Sequence, residues 1–112
     1  MRFDTPGPLI VAHRGASALA PENTLAAFRR AVDDGADGIE FDVRLAKDNA
    51  AVVFHDSTLI RTAQTDGRVS DFTSSELSEF DVGSWFNRMS RKRANPVFAD
   101  EHIPTLELLW GF

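Results

Sequence analysis

Across residues 38–45 the chain alternates strictly, with Ile39, Phe41, Val43 and Leu45 on one side of an extended segment and Glu40, Asp42 and Arg44 on the other. This pattern demands a strand with one apolar face to bury, and it aligns two carboxylates on the opposite face. What precedes the strand decides where those acids look. Leu9-Ile10-Val11-Ala12-His13 is a short apolar run after Pro6-Gly7-Pro8, which fits a strand buried on both faces, as in a parallel sheet. After the Arg14-Gly15 break, Asn23 is placed to N-cap a helix in which Leu25, Phe28 and Val32 recur at helical spacing, with Gly35 as its stop. Strand, helix, strand is a βαβ unit, so its apolar face should meet helices while Glu40 and Asp42 point inward rather than to water.

Lys47-Asp48-Asn49 then leads into Ala51-Val52-Val53-Phe54-His55. A parallel crossover needs about a dozen residues or more, so this short connector implies a hairpin. A two-residue turn at Asp48-Asn49 would set Asp42 directly opposite His55. Beyond Asp56 the chain is polar through Gly67, and then Thr73-Ser74-Ser75-Glu76 forms a capping box for a short helix anchored by Leu77 and Phe80. The basic stretch at residues 88–93 reads as a solvated loop without a function of its own. Pro104-Thr105 opens one more helix, Leu106-Glu107-Leu108-Leu109-Trp110.

Composition narrows the chemistry. With 112 residues, 43% hydrophobic and 26% charged, the chain has room for one folded domain and not for two. It has no cysteine, so any metal must be held by oxygen or imidazole. No apolar h-region opens the sequence and no run approaches the roughly 18 apolar residues of a membrane span, which makes a soluble, cytoplasmic protein the default expectation. The net charge of −5 argues against a nucleic-acid partner, and a phosphate-bearing substrate would need positive charge gathered locally.

Four short pieces carry that possibility: His13-Arg14-Gly15, Glu22-Asn23-Thr24, Glu40-Phe41-Asp42 and His55-Asp56. Taken singly, each has a plain structural reading: a core histidine, a helix start, surface strand acids, an Arg14–Glu22 ion pair. In this order, on a strand, loop-helix, strand, strand series, they resemble the N-terminal signature of the glycerophosphodiester phosphodiesterase family. The resemblance runs from about residue 9 to the end, and Asp81-Val82-Gly83-Ser84-Trp85-Phe86 and Ile103-Pro104-Thr105-Leu106-Glu107 look like the family's later landmarks. It implies an α/β fold, the N-terminal part of a TIM (β/α)8 barrel. Residues 9–56 would supply three barrel strands and the first helix, 57–103 a small inserted subdomain and 104–112 the start of the next barrel helix. A whole barrel takes roughly 250 residues, and the family's third metal-ligating acid, with the lysine after it, would follow Phe112. The barrel is therefore expected to be incomplete here, the chain weakly active or inactive alone, and its open edge prone to self-association. Smaller departures are Asn49 where the family has glycine and Leu108 where it has a second acid.

The resemblance implies metal-dependent hydrolysis of small-molecule glycerophosphodiesters to glycerol 3-phosphate and an alcohol, with Ca2+ or Mg2+ as cofactor. Glu40 and Asp42 would supply hard oxygen ligands from one side of a strand. His13 and His55 would form the acid-base pair, either able to be the base, and Arg14 would bind the phosphate through its planar fork. Gly15 would let the backbone turn close to the ligand, Glu22 would approach the metal or its ligands, Asn23 would cap the helix, and Asp56 would orient rather than react. Two other readings stand beside this one: a non-enzymatic remnant that serves as a binding or assembly partner, and a related phosphodiesterase acting on phosphoinositide- or sphingomyelin-type phospholipids.

Overall fold

The computed structural model describes residues 7–111. Strand β1 (Val11–His13) is followed by helix α1 (Leu25–Asp33) and strand β2 (Gly38–Glu40), and β1 and β2 pair in parallel with His13 beside Glu40. The expected βαβ unit is thus present. Thr24, rather than Asn23, caps α1: its hydroxyl accepts from Ala27 N at 3.2 Å, while Asn23 lies at a positive φ of 56°. The buried face of α1 is Ala27, Phe28 and Ala31, and Val32 faces solvent. Small side chains on that face let the Arg14-Gly15 turn come very close, for a Cβ on Gly15 would lie 2.8 Å from the Ala27 backbone and side chain. Helix packing therefore requires a glycine at position 15.

Residues 38–45 do not form one strand. After β2 the chain passes through Phe41-Asp42 and re-enters extended structure as β3 (Val43–Leu45), which pairs antiparallel with β4 (Ala51–Val53) in a separate sheet. The hairpin turn also differs from expectation. Val43 faces Val53 and Leu45 faces Ala51, so the loop has three residues, Lys47-Asp48-Asn49. Asn49 N donates to Ala46 O and Ala46 N to Ala50 O, both at 2.9 Å, with Asn49 at φ 63°. A turn followed by one left-handed residue is the usual three-residue hairpin, and Asn tolerates that conformation. The register moves by one accordingly: Asp42 O accepts from Phe54 N, and Phe54, not His55, lies across from Asp42.

The remaining elements are short. Helix α2 (Ile60–Ala63) falls where the sequence had suggested only polar chain; α3 (Ser74–Leu77) has the expected Thr73/Glu76 capping box; α4 (Ser84–Met89) and α5 (Leu106–Trp110) follow, with single 3-10 turns between. The charged side chains of the basic stretch are exposed as expected, but it is not a loop: Arg88 and Met89 end α4 and Arg91–Arg93 form a 3-10 turn.

The strand buried on both faces is β4, not β1. Val53 packs with Phe28 and Leu109 in one core; Val52 packs in a second core with Phe54, Leu59, Leu77, Val82 and Ile103. At β1, by contrast, Ile10 just before the strand and Val11 within it are 66% and 57% exposed, because among the described residues β1 pairs with β2 alone. Ile39 and Phe41 do reach the Phe28 core, while Val43 and Leu45, on the far side of the strand break, are exposed. No helix of the described residues is long and apolar enough to cross a membrane.

The start of α4 is held by a close backbone approach. Asp81 accepts from Gly83 N and Ser84 N at 2.8 and 2.9 Å and from the Ser84 hydroxyl. A Cβ on Gly83 would sit 1.7 Å from Phe98 O, so no side chain fits without moving the backbone. Gly83→Ala is expected to cost about 2–3 kcal/mol through overpacking. Urea unfolding measures it, and a variant as stable as the parent would show that this approach is not needed.

Candidate functional site

The four sequence pieces converge at the C-terminal ends of β1 and β2 and the end of the hairpin. At the tip of β1, His13 is largely exposed with Nε2 3.8 Å from Glu40 Oε1. Arg14 follows at φ 58°, and its backbone N–H donates to the same Glu40 oxygen at 3.1 Å. This odd backbone turns the Arg14 side chain across the sheet end. Its Nη1 donates to Glu22 Oε2 at 3.2 Å and its buried Nε stands 3.3 Å from Asp42 Oδ2 without hydrogen-bond geometry. Arg14 is thus already held between acids, the plain ion-pair reading included.

Asn23, which does not cap the helix, serves Asp42 instead. Its amide donates to Asp42 Oδ2 at 3.1 Å and its carbonyl accepts from Asp42 N at 3.3 Å, a two-point clasp on the residue where the strand breaks. His55 and Asp56 follow β4. The His55 carbonyl accepts from Arg44 Nε at 2.8 Å, fixing the backbone, and His55 Nδ1 lies 2.6 Å from Asp56 Oδ1.

Arg61, on α2, completes the network, and sequence reasoning missed it. It meets Glu22 through both terminal nitrogens at 2.8 and 2.9 Å and reaches Asp56 through Nε and Nη2 at 2.9 and 3.0 Å. Its Cζ lies over the Trp85 ring, 5.7 Å from the ring centre. The only local signal was Leu59 and Ala63 at helical spacing around it, both buried. The resulting chain of contacts runs His55, Asp56, Arg61, Glu22, Arg14, Asp42, Asn23. Arg61 above all, with His55 second, holds the Asp56 carboxyl down at about 2, and Glu22 and Asp56 push the Arg61 pKa upward. Because Asp56 is therefore an acceptor at neutral pH, His55 Nδ1 is the donor in their contact.

The donor chemistry here suits a hard divalent cation, since Glu22, Glu40 and Asp42 offer carboxylate oxygens and the chain has no thiolate. Among the described residues no three or more acids or histidines are grouped around one ion position, and two guanidiniums stand among the acids.

Comparison with known proteins gives one consistent answer. The profile of the glycerophosphoryl diester phosphodiesterase family matches residues 13–111. A glycerophosphodiester phosphodiesterase of Caldanaerobacter subterraneus is 50% identical over 98 residues, covering 88% of this chain and 37% of that protein. Human glycerophosphodiester phosphodiesterase 1 is 42% identical over 96 residues, covering 86% of this chain and 27% of that protein. Among solved structures, an Oleispira antarctica phosphodiesterase in complex with the product sn-glycerol-3-phosphate superposes with a TM-score of 0.79 at 40% identity, covering 90% of this chain and 38% of that one. A glycerophosphodiester phosphodiesterase from Agrobacterium tumefaciens does so with 0.78 at 42% identity, over 89% and 40%. The chain therefore spans well under half the length of these relatives.

The Asp56 contacts carry a pH signature. A carboxyl lowered from its ordinary 3.8 to about 2 stabilises the folded chain above pH 4, and the benefit disappears as pH falls toward 2. Asp56→Asn is expected to cost on the order of 1–2 kcal/mol at pH 7, allowing for screening of the partly exposed Arg61, and the gap to the parent should narrow between pH 5 and 2.5. Urea titrations across that range measure it; a gap that stays constant would remove the Arg61–Asp56 contact as its source.

Proposed function

The chain belongs to the glycerophosphoryl diester phosphodiesterase family, and from that membership we propose that its site performs the hydrolysis of glycerophosphodiesters to glycerol 3-phosphate and an alcohol. The α/β fold, with two short sheets that do not close, is part of a TIM-barrel-like domain of that family. The observation that supports the activity best is that His13 and His55, 42 residues apart, both border one acid–guanidinium network.

Cleaving a phosphodiester requires neutralising its charge, activating a hydroxyl and protonating the departing oxygen. His55, with Nδ1 on Asp56, has Nε2 free to take or give a proton, and His13 is the second proton carrier beside Glu40. Either histidine can be the base. Arg14, whose Nη1 and Nε are engaged with acids, has Nη2 left for a phosphate oxygen. Glu40 and Asp42 would hold a Ca2+ or Mg2+ ion, which when bound supplies charge neutralisation at the phosphate. Glu22 and Asn23 orient Arg14 and Asp42.

A second reading, association with another chain through the open edge, is favoured by the exposure of Ile10 and Val11 at the start of β1. The two readings are compatible. Sedimentation should then show concentration-dependent oligomers that Val11→Lys reduces; a monomer at every concentration would sink it.

The activity is tested by glycerol 3-phosphate release from glycerophosphocholine by the purified chain with calcium or magnesium. Release is expected to fall by a factor of roughly 100 or more in His13→Ala and His55→Ala. Calcium should also raise the melting temperature of the chain, and Glu40→Gln should remove that rise. A folded chain that releases nothing above the histidine variants would refute hydrolysis by these residues alone, and an unchanged melting temperature would count against the cation.

A further inference from the structure

Between α2 and α4 an open cleft of about 440 Å3 is lined by Arg61, Gln64, Trp85, Arg88 and Met89. Its lining offers two guanidiniums, an amide, an indole and a thioether, and no carboxylate. It begins one side chain from the proposed proton carrier, because Arg61 lies over the Trp85 ring and donates to Asp56, and Asp56 holds His55. The Trp85 ring is fixed in place, its indole N–H donating to Val82 O at 2.8 Å. Resting on the phosphodiesterase reading, we propose that this cleft receives the alcohol portion of the substrate and prefers head groups carrying their own negative charge.

The charge pattern decides the preference. Arg61 is balanced by Glu22 and Asp56, whereas Arg88 is exposed and has no ion-pair partner among the described residues, so it is the uncompensated charge of the cleft. Arg91, Lys92 and Arg93 follow it along the exposed chain and extend the positive potential. A quaternary ammonium would find no acid in the lining, and Arg61 already lies over one face of Trp85. A second phosphate or a carboxylate would meet Arg88 directly, with Gln64 available to hydroxyls and Met89 as an adaptable wall.

The test uses the Trp110→Phe chain, in which Trp85 is the single tryptophan; Trp110 is 81% exposed, so its replacement leaves the cores intact. Trp85 emission is titrated with glycerophosphoinositol 4-phosphate and with glycerophosphocholine. The former should bind about tenfold more tightly, and Arg88→Glu, at an exposed site that does not threaten folding, should erase the difference. Equal affinities, a preference that survives Arg88→Glu, or no response of Trp85 to either compound would each overturn the proposal. Glycerol 3-phosphate release separates it from the reading on which it rests. The predicted binding preference without release upholds the cleft and counts against hydrolysis, while equal release from both diesters with a silent Trp85 upholds hydrolysis and removes the cleft.

Discussion

Everything at this site depends on one largely covered carboxylate. The Glu22 side chain is only 10% exposed, and a charge in that position is tolerated because Arg14 and Arg61 meet it from two sides. Arg14 comes from the end of β1 and Arg61 from α2, 39 residues beyond Glu22, so satisfying this acid fastens the helical segment onto the βαβ unit. A second contact acts in the same sense: Glu101 accepts from Ala26 N at 2.9 Å, filling a helix-end donor of α1 from 75 residues away. Each guanidinium then reaches a further acid, Asp42 or Asp56, and those acids carry the next contacts, to Asn23 and His55.

The two cores make that arrangement specific. β4 is the wall between them, and its alternate side chains serve opposite sides, Val53 toward Phe28 and Val52 toward Leu59 and Leu77. A one-residue slip of the hairpin would exchange those faces and put every apolar side chain on the wrong side. The three-residue turn is therefore tied to the core. It is also tied to α3, since Asp48 accepts from Ser74 N and from its hydroxyl at 3.1 and 2.9 Å. His55 lies two residues past Val53, so its position at the site follows from the packing of the strand before it.

What the sequence made legible was local: the parallel βαβ order, the capping box at Thr73, the stop at Gly35, and the gathering of His13, Glu40, Asp42 and His55 into one region. What it hid depended on contacts between distant segments. Period-two alternation continues unbroken across residues 38–45, yet the strand changes sheets at Phe41-Asp42, because alternation records which face a residue takes and not which neighbour the strand pairs with. The turn was misread by one residue because Asp48-Asn49 suits a two-residue turn as well as it suits the longer one. Arg61 was invisible for a simpler reason: an arginine in a polar stretch is ordinarily solvated, and nothing nearby in sequence says that Glu22 needs a second cation.

Asn23 brings these threads together. At a positive φ it gives up the cap of α1 to Thr24 and uses both ends of its amide on Asp42, much as a neighbouring strand would use its backbone. That clasp lies where β2 gives way to β3 and sets the direction of the Asp42 carboxylate. Oδ2 accepts from Asn23 and lies beside the Arg14 Nε, while Oδ1 has no protein hydrogen bond among the described residues. Glu40 is divided in the same way, with Oε1 accepting from Arg14 N and Oε2 left open. Each of the two acids assigned to the proposed cation thus spends one oxygen on holding its own position and keeps the other for a ligand. That division lets a carboxylate be rigid and available at once, and here it comes from an asparagine and an arginine that would otherwise read as a helix cap and a surface ion pair.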